Sequence, residues 1–208
     1  MQDIRLIGKK LNLSENDLFC YGKDYAKVEK TNGGKNGKLI LVTSINPTSQ
    51  GEGKTTVAIG LADAFSMQNK SVCLSLREPS LGPVFGLKGG ATGGGKSSLV
   101  PEEEINLHFT GDFHAITYAN NLLCSLIDNH IYQGNKLAIH PNKIMIKRCI
   151  DLCDRSLRNV KISADEKNER NENFVITPAT EMMSILTLST SESDLKKRLS
   201  NCLLANIL

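Results

Sequence analysis

The sequence predicts an α/β fold: a mostly parallel sheet flanked by helices, built around a phosphate-binding loop and carrying a glycine-rich loop insertion. Three observations predict it. First, the apolar run Leu39-Ile40-Leu41-Val42 leads into Thr48-Ser49-Gln50-Gly51-Glu52-Gly53-Lys54-Thr55-Thr56, the order of strand, glycine-rich turn and helix start that cradles a polyphosphate. Second, Val57, Ile59, Leu61, Ala62, Ala64 and Phe65 give an apolar segment of helix length, and Ser71-Val72-Cys73-Leu74-Ser75-Leu76 reads as the next strand. Strand, helix and strand in that order form a βαβ unit, whose strands are parallel and whose crossover is right-handed. Third, the stretch from Gly89 to Gly95 holds five glycines in seven residues, a density that helix or strand propensity does not explain and that close approach of the backbone to a ligand or another backbone does.

The loop specifies its own chemistry. Backbone N–H groups at such a turn converge on phosphate oxygens, and the helix starting near Gly53 adds its positive end. Lys54 reaches the outer phosphates and the Thr55 hydroxyl takes a place on Mg²⁺. The pattern departs from the strict motif at one point, because Thr48 stands where the first glycine is expected. The arrangement is P-loop NTPase-like, with Thr48, Ser49, Gln50, Gly51, Glu52, Gly53, Lys54, Thr55 and Thr56 as the nucleotide-binding residues.

The remaining elements follow in order. Residues 1–30 read as a helical lead, with Ser14-Glu15-Asn16-Asp17 offering a cap and acidic first-turn residues. Residues 31–37 are a turn. Residues 102–132 are helical with an interruption near Gly111, and residues 142–153 form another helix. Residues 163–173 are polar and read as an exposed loop. Phe174-Val175-Ile176-Thr177 is a further strand, and Glu181 to Leu188 and Asp194 to Ile207 are helices. The whole of 1–208 reads as one nucleotide-binding domain, with the lead over 1–30, the phosphate-loop core over 38–160, and the further strand and helices over 174–208.

Composition limits the function classes. The 208 residues carry 40% apolar and 23% charged residues, ordinary for a soluble globular protein. A net charge of +3 is too small to argue for nucleic acid. No apolar run approaches the length that spans a membrane, and no secretory signal opens the chain. The six cysteines form no C-x-x-C pair, which reads as reduced thiols of a cytoplasmic protein rather than a disulfide framework. Cys149 and Cys153 lie four apart without neighbouring ligands for a metal.

Longer runs resemble the formate–tetrahydrofolate ligase family, also called 10-formyltetrahydrofolate synthetase. Tyr21-Gly22-Lys23-Asp24-Tyr25-Ala26-Lys27-Val28 looks like the family's lead-in. Thr43-Ser44-Ile45-Asn46-Pro47-Thr48 through Thr56 looks like its ATP loop. Leu87-Lys88-Gly89-Gly90-Ala91-Thr92-Gly93-Gly94-Gly95 resembles its glycine-rich signature, and Glu103 to Ile116 and Phe174 to Arg198 resemble further parts. The chain departs where Lys96 replaces a usual tyrosine, Thr92 a usual alanine, and the charged residues 160–173 a glycine-rich stretch. Family members are well over twice this length, so the chain looks like the N-terminal portion, without the aromatic residues that stack the folate ring.

The resemblance implies a ligase of one-carbon metabolism: ATP, formate and tetrahydrofolate give 10-formyltetrahydrofolate, ADP and phosphate through formyl phosphate. Bringing two anions together needs fixed positive charge rather than a nucleophile. Lys54 supplies part of it. Arg77, at the carboxyl end of the second strand, is placed to clamp formyl phosphate through two parallel hydrogen bonds. Glu78, Lys88, Gly93, Gly94, His108, Asp112 and His114 are candidates for the substrate pocket, with the two histidines and Asp112 read as positioning groups rather than metal ligands. The implied cofactors are ATP and Mg²⁺, with a monovalent cation as a further candidate, and the implied partners are the small substrates and further copies of the chain. Two competing readings are a catalytically incomplete ATP-binding module and a P-loop switch ATPase. The second is disfavoured because no acidic residue after an apolar strand is at hand for a second Mg²⁺ contact.

Overall fold

The computed structural model describes residues 2–29, 37–46, 48–86, 90, 92–164 and 168–207. It is a mixed α/β structure of small sheets and several helices that divides into two compact units. The first comprises Met1–Pro79 and Leu87–Thr110, the second Ser80–Gly86 and Gly111–Leu208.

The first unit opens with α1 (Ile4–Lys10), capped by the Asp3 carboxylate, which accepts from the Arg5 N–H at 2.9 Å. The expected helical lead stops there. Ser14 and Asp17 do form a capping box, but it closes only one turn of 3₁₀ helix. The chain then becomes a hairpin of β1 (Leu18–Tyr21) and β2 (Tyr25–Val28), antiparallel with Leu18 opposite Val28. The reason is local: these strands read Leu-Phe-Cys-Tyr and Tyr-Ala-Lys-Val, whose three aromatic residues and Val28 suit a pleated surface. Helix α2 (Lys54–Met67) follows the glycine-rich turn as expected. Among the described residues, however, the apolar runs at 38–43 and 71–76 pair with no strand, and Leu39 and Leu41 are 94% and 79% exposed. A strand exists by its ladder, so an apolar sequence without a neighbour stays unassigned. The unit also holds β3 (Gly93–Gly94), β4 (Ser97–Ser98) and α4 (Glu102–Asn106).

In the second unit, the four-residue α3 (Leu81–Val84) is followed by α5 (Asp112–Tyr132). Gly111 starts α5, so the expected interruption of the helical stretch is present. Phe113, Ile116, Asn120, Cys124, Ile127 and Ile131 are its buried residues. Steps of three and four residues put them on one face. Phe113 and Ile116 form the core with Met182, Met183 and Ile185 of α6 (Glu181–Leu188). Each such side chain stabilises the unit by roughly 1.5–3 kcal/mol on burial.

Four expectations are corrected here. Phe174 to Thr177 is not a strand: Val175 makes only an isolated bridge to Cys149, and Thr177 opens a 3₁₀ turn that runs to Ala179. Residues 142–153 are not a helix: β5 (Ile139–Ile144) occupies the start and Cys149 makes a parallel bridge to Val175. Asn120 and Asn121 of α5 donate side-chain amide hydrogens to the carbonyls of Lys147 (2.8 Å) and Cys149 (2.9 Å), and the Cys149 N–H returns to Asn121 Oδ1 at 2.9 Å. Those backbone groups are therefore held by side chains instead of by a helical ladder. Residues 163–173 are not simply a loop: β6 (Val160–Ser163) and β7 (Glu169–Glu172) pair antiparallel. The last expected helix ends early, as α7 (Glu192–Ser200), and β8 (Ala205–Ile207) then pairs antiparallel with β5. Beyond Ser200 the Leu204 carbonyl accepts from the Met145 N–H at 2.8 Å, which ties the chain to β5 rather than to another helical turn.

Candidate functional site

The loop from Thr48 to Lys54 turns at its two glycines. Gly51 and Gly53 both adopt positive φ, +87° and +72°, a region that costs other residues strain and lets the chain double back into α2. Gly51 N–H donates to the Thr48 carbonyl at 3.3 Å, closing the turn, and Val57 N–H donates to the Gly53 carbonyl at 2.9 Å, starting the helix. Lys54 is the first helical residue and Thr55 the second. Thr48, Ser49, Gln50 and Thr56 are exposed, and Thr55 is half-buried.

The charged groups of the loop converge. Lys54 Nζ donates to Ser44 Oγ at 3.1 Å and to Glu52 Oε2 at 2.6 Å. The other Glu52 oxygen accepts from the Thr48 N–H. The hydrogen bond from Lys54, reinforced by the one from Thr48, lowers the Glu52 carboxyl to about 2, so it is charged at any working pH. The loop thus gathers an ammonium and a backbone amide on one carboxylate, the donor set that an anionic phosphate oxygen needs. Ser44 was not read as a site residue from the sequence. Its signal was its place just after an apolar run and before the loop.

The other candidates are placed unevenly. Arg77 is exposed, and among the described residues it makes no ion pair. Glu78 is engaged elsewhere: its two oxygens accept from the Thr110 N–H at 3.1 Å and the Thr110 hydroxyl at 2.7 Å. Thr110 is a second residue that the sequence did not single out. Lys88 lies outside the described residues. Gly93 and Gly94 pair with Ser98 and Ser97 in the β3–β4 hairpin, which Gly95 and Lys96 turn. That hairpin packs on α2. Gly93 has φ +97°, and a Cβ there would lie 2.9 Å from Ile59 Cδ1 and collide with the Ser97 carbonyl. A Cβ on Gly60 would lie 3.2 Å from Ser97 Oγ. The glycines therefore permit close backbone packing beneath α2. Thr92 is 2% exposed and donates its hydroxyl to Glu102 at 3.0 Å, so the hydroxyl that distinguishes it from alanine is satisfied.

His108 is buried at φ +62° in the first unit. Asp112 and His114 are exposed in the first turn of α5, in the second unit. No group of three His, Cys, Asp or Glu side chains able to hold a metal occurs among the described residues. The second unit contains an apolar groove of about 520 Å³ lined by Leu126, Ile127, Leu137, Ile139 and Leu203.

A family model for formate–tetrahydrofolate ligase matches residues 1–207. The chain belongs to the formate–tetrahydrofolate ligase family. Curated relatives agree. The chain is similar to the formate–tetrahydrofolate ligase of Campylobacter curvus, 56% identical over 208 residues that are 99% of this chain and 38% of the relative. It is 54% identical to that of Campylobacter concisus, with the same coverage. It is also 54% identical to that of Oenococcus oeni over 204 residues, 96% of this chain and 37% of the relative. This member of the ligase family therefore spans under two fifths of the length of these relatives.

Proposed function

We propose that the chain is the ATP-binding portion of a formate–tetrahydrofolate ligase and that it holds the nucleotide on the loop from Thr48 to Thr56. The observation that carries this reading is the convergence of Lys54 Nζ and the Thr48 amide on a carboxylate inside a glycine turn at the start of α2. A site that already holds one anion with these donors fits the outer phosphates of ATP. Lys54 and the loop amides neutralise them, and the Thr55 hydroxyl stands ready as a ligand to Mg²⁺. The metal would supply charge neutralisation, with its other ligands coming from phosphate and water. The order of apolar run, loop, α2 and second apolar run supports a P-loop NTPase-like core, in which 38–43 and 71–76, unpaired among the described residues, would be the parallel strands. Both units are read as parts of one nucleotide-binding portion.

In the ligation, formate attacks the terminal phosphoryl group to give formyl phosphate, which then formylates tetrahydrofolate. The chain's contribution is electrostatic: positive groups fixed before two anions meet cost no reorganisation at the reacting centre. Arg77, exposed and without an ion pair among the described residues, is the residue available to clamp the formyl phosphate. Gly93 and Gly94 support α2 from below. Glu78, Lys88, His108, Asp112 and His114 remain pocket candidates. All six cysteines are free and no described helix is long and apolar enough to cross a membrane, which suits a cytoplasmic location. A monovalent cation and assembly of several copies complete the reading.

Because the chain spans 38% of its relatives, we expect nucleotide binding without turnover. With ATP, Mg²⁺, formate and tetrahydrofolate, the isolated chain should form no 10-formyltetrahydrofolate above a protein-free control, while calorimetry detects Mg·ATP binding. Product formation would show that the chain is catalytically complete. Failure to bind Mg·ATP would remove the nucleotide site itself.

A further inference from the structure

The phosphate loop contains an anion of its own. Glu52 lies between the two glycines that shape the turn, and its carboxylate bridges Lys54 Nζ on one oxygen and the Thr48 N–H on the other. The loop around it is exposed at Thr48, Gln50, Gly51 and Gly53, yet the Glu52 side chain is only 17% exposed. It has folded back over the turn instead of extending into water. A carboxylate and a phosphate present the same oxygen acceptors to the same donors.

We propose that Glu52 is an internal competitor for the phosphate position: its carboxylate occupies the donors of the loop, and an incoming polyphosphate has to displace it. This inference rests on the phosphate-loop reading above. Two consequences follow from charge alone. With Glu52 in place the Lys54 ammonium is neutralised, so its pull on a monoanion is weakened. A ligand that replaces Glu52 must bring enough negative charge to take both donors and to tolerate the expelled carboxylate nearby, which favours a polyphosphate, whose charge Mg²⁺ partly compensates, over a single phosphate. The displacement cost is modest, because the Lys54 end of the pair is 43% exposed and water screens it.

The test uses the whole chain and two probes, Mg·ATP and inorganic tripolyphosphate, the latter reading the loop without the adenosine contacts. Glu52→Gln removes the charge and keeps the shape; Glu52→Ala removes both. Each is titrated calorimetrically beside the unaltered chain and Lys54→Ala, with thermal melts to confirm folding. Both Glu52 variants should bind tripolyphosphate about five- to tenfold more tightly. Equal or weaker binding in both, with binding lost in Lys54→Ala, overturns the competitor role and leaves the phosphate loop standing. Unchanged binding in Lys54→Ala overturns the loop reading, and the competitor role falls with it.

Discussion

Lys54→Ala should weaken Mg·ATP binding by at least tenfold, and by as much as a hundredfold. The ammonium is the only cation that the described contacts place within the loop, 2.6 Å from the carboxylate that stands where a phosphate oxygen is expected. Unit charges about 4 Å apart attract by about 1 kcal/mol in water and about 4 kcal/mol near a protein surface. The Lys54 side chain is 43% exposed, so a value between these limits applies, and each 1.4 kcal/mol is a factor of ten in affinity. The loss is compounded by Glu52. Without its partner the carboxylate stays charged and repels the phosphates from inside the turn. Titration calorimetry at fixed ionic strength reads the difference, and comparable affinities in the two chains would remove Lys54 from the site.

The second large effect lies in the other unit and concerns stability. Asp128 on α5 accepts from Arg148 Nη2 and Arg170 Nη1, both at 2.7 Å, and Glu172 accepts from Arg170 Nη2 at 3.0 Å. The Arg170 and Glu172 side chains are each 7% exposed and that of Asp128 13%. Two guanidinium groups and two carboxylates thus balance in a nearly dry cluster, and Asp128→Asn leaves two positive charges facing one negative. Breaking a buried pair on one side costs about 3–5 kcal/mol, which in a protein of this size lowers the melting temperature by roughly 10 °C. The cluster also gives stability a direction in pH. Burial pushes the Asp128 carboxyl up, but the hydrogen bonds from Arg170 and Arg148 outweigh it and hold the group below its ordinary value. A depressed carboxylate stabilises the fold above its unfolded pKa, near 3.9, and loses that contribution as pH falls through the lower folded value. Thermal melts from pH 6 down to pH 2 should therefore show a steeper acid loss in the unaltered chain than in Asp128→Asn. Parallel curves would assign the cluster no part in acid stability.

The elements legible in the sequence are those whose signal is local. The start of α2 followed from Gly53-Lys54-Thr55 and the apolar residues behind it, and α5 from the interruption at Gly111 and the long helical stretch after it. The misread segments depend on partners far along the chain. Residues 142–153 carry helix-compatible spacing, but the carbonyls of Lys147 and Cys149 are claimed by Asn120 and Asn121, 27 and 28 residues earlier. The charged stretch 163–173 reads as solvated because nothing local indicates that Arg170 meets Asp128, 42 residues away. At the site, the loop was legible from its glycines and lysine. The posture of Glu52 was not, because a glutamate inside a loop meets water or its own lysine equally well until φ at Gly51 fixes where the side chain returns. The glycine-rich stretch was legible as a place of close approach. That the described part approaches α2 could be learned only from the packing of Gly93 against Ile59.

The most direct test is an amide chemical-shift titration of the isotopically labelled chain with Mg·ATP. The backbone N–H groups of Gly51, Glu52, Gly53, Lys54 and Thr55 should shift together and saturate with the calorimetric affinity, while amides of α6 and α7 stay in place. Saturable binding that leaves those five amides unmoved and shifts residues elsewhere would contradict a polyphosphate seated on this loop.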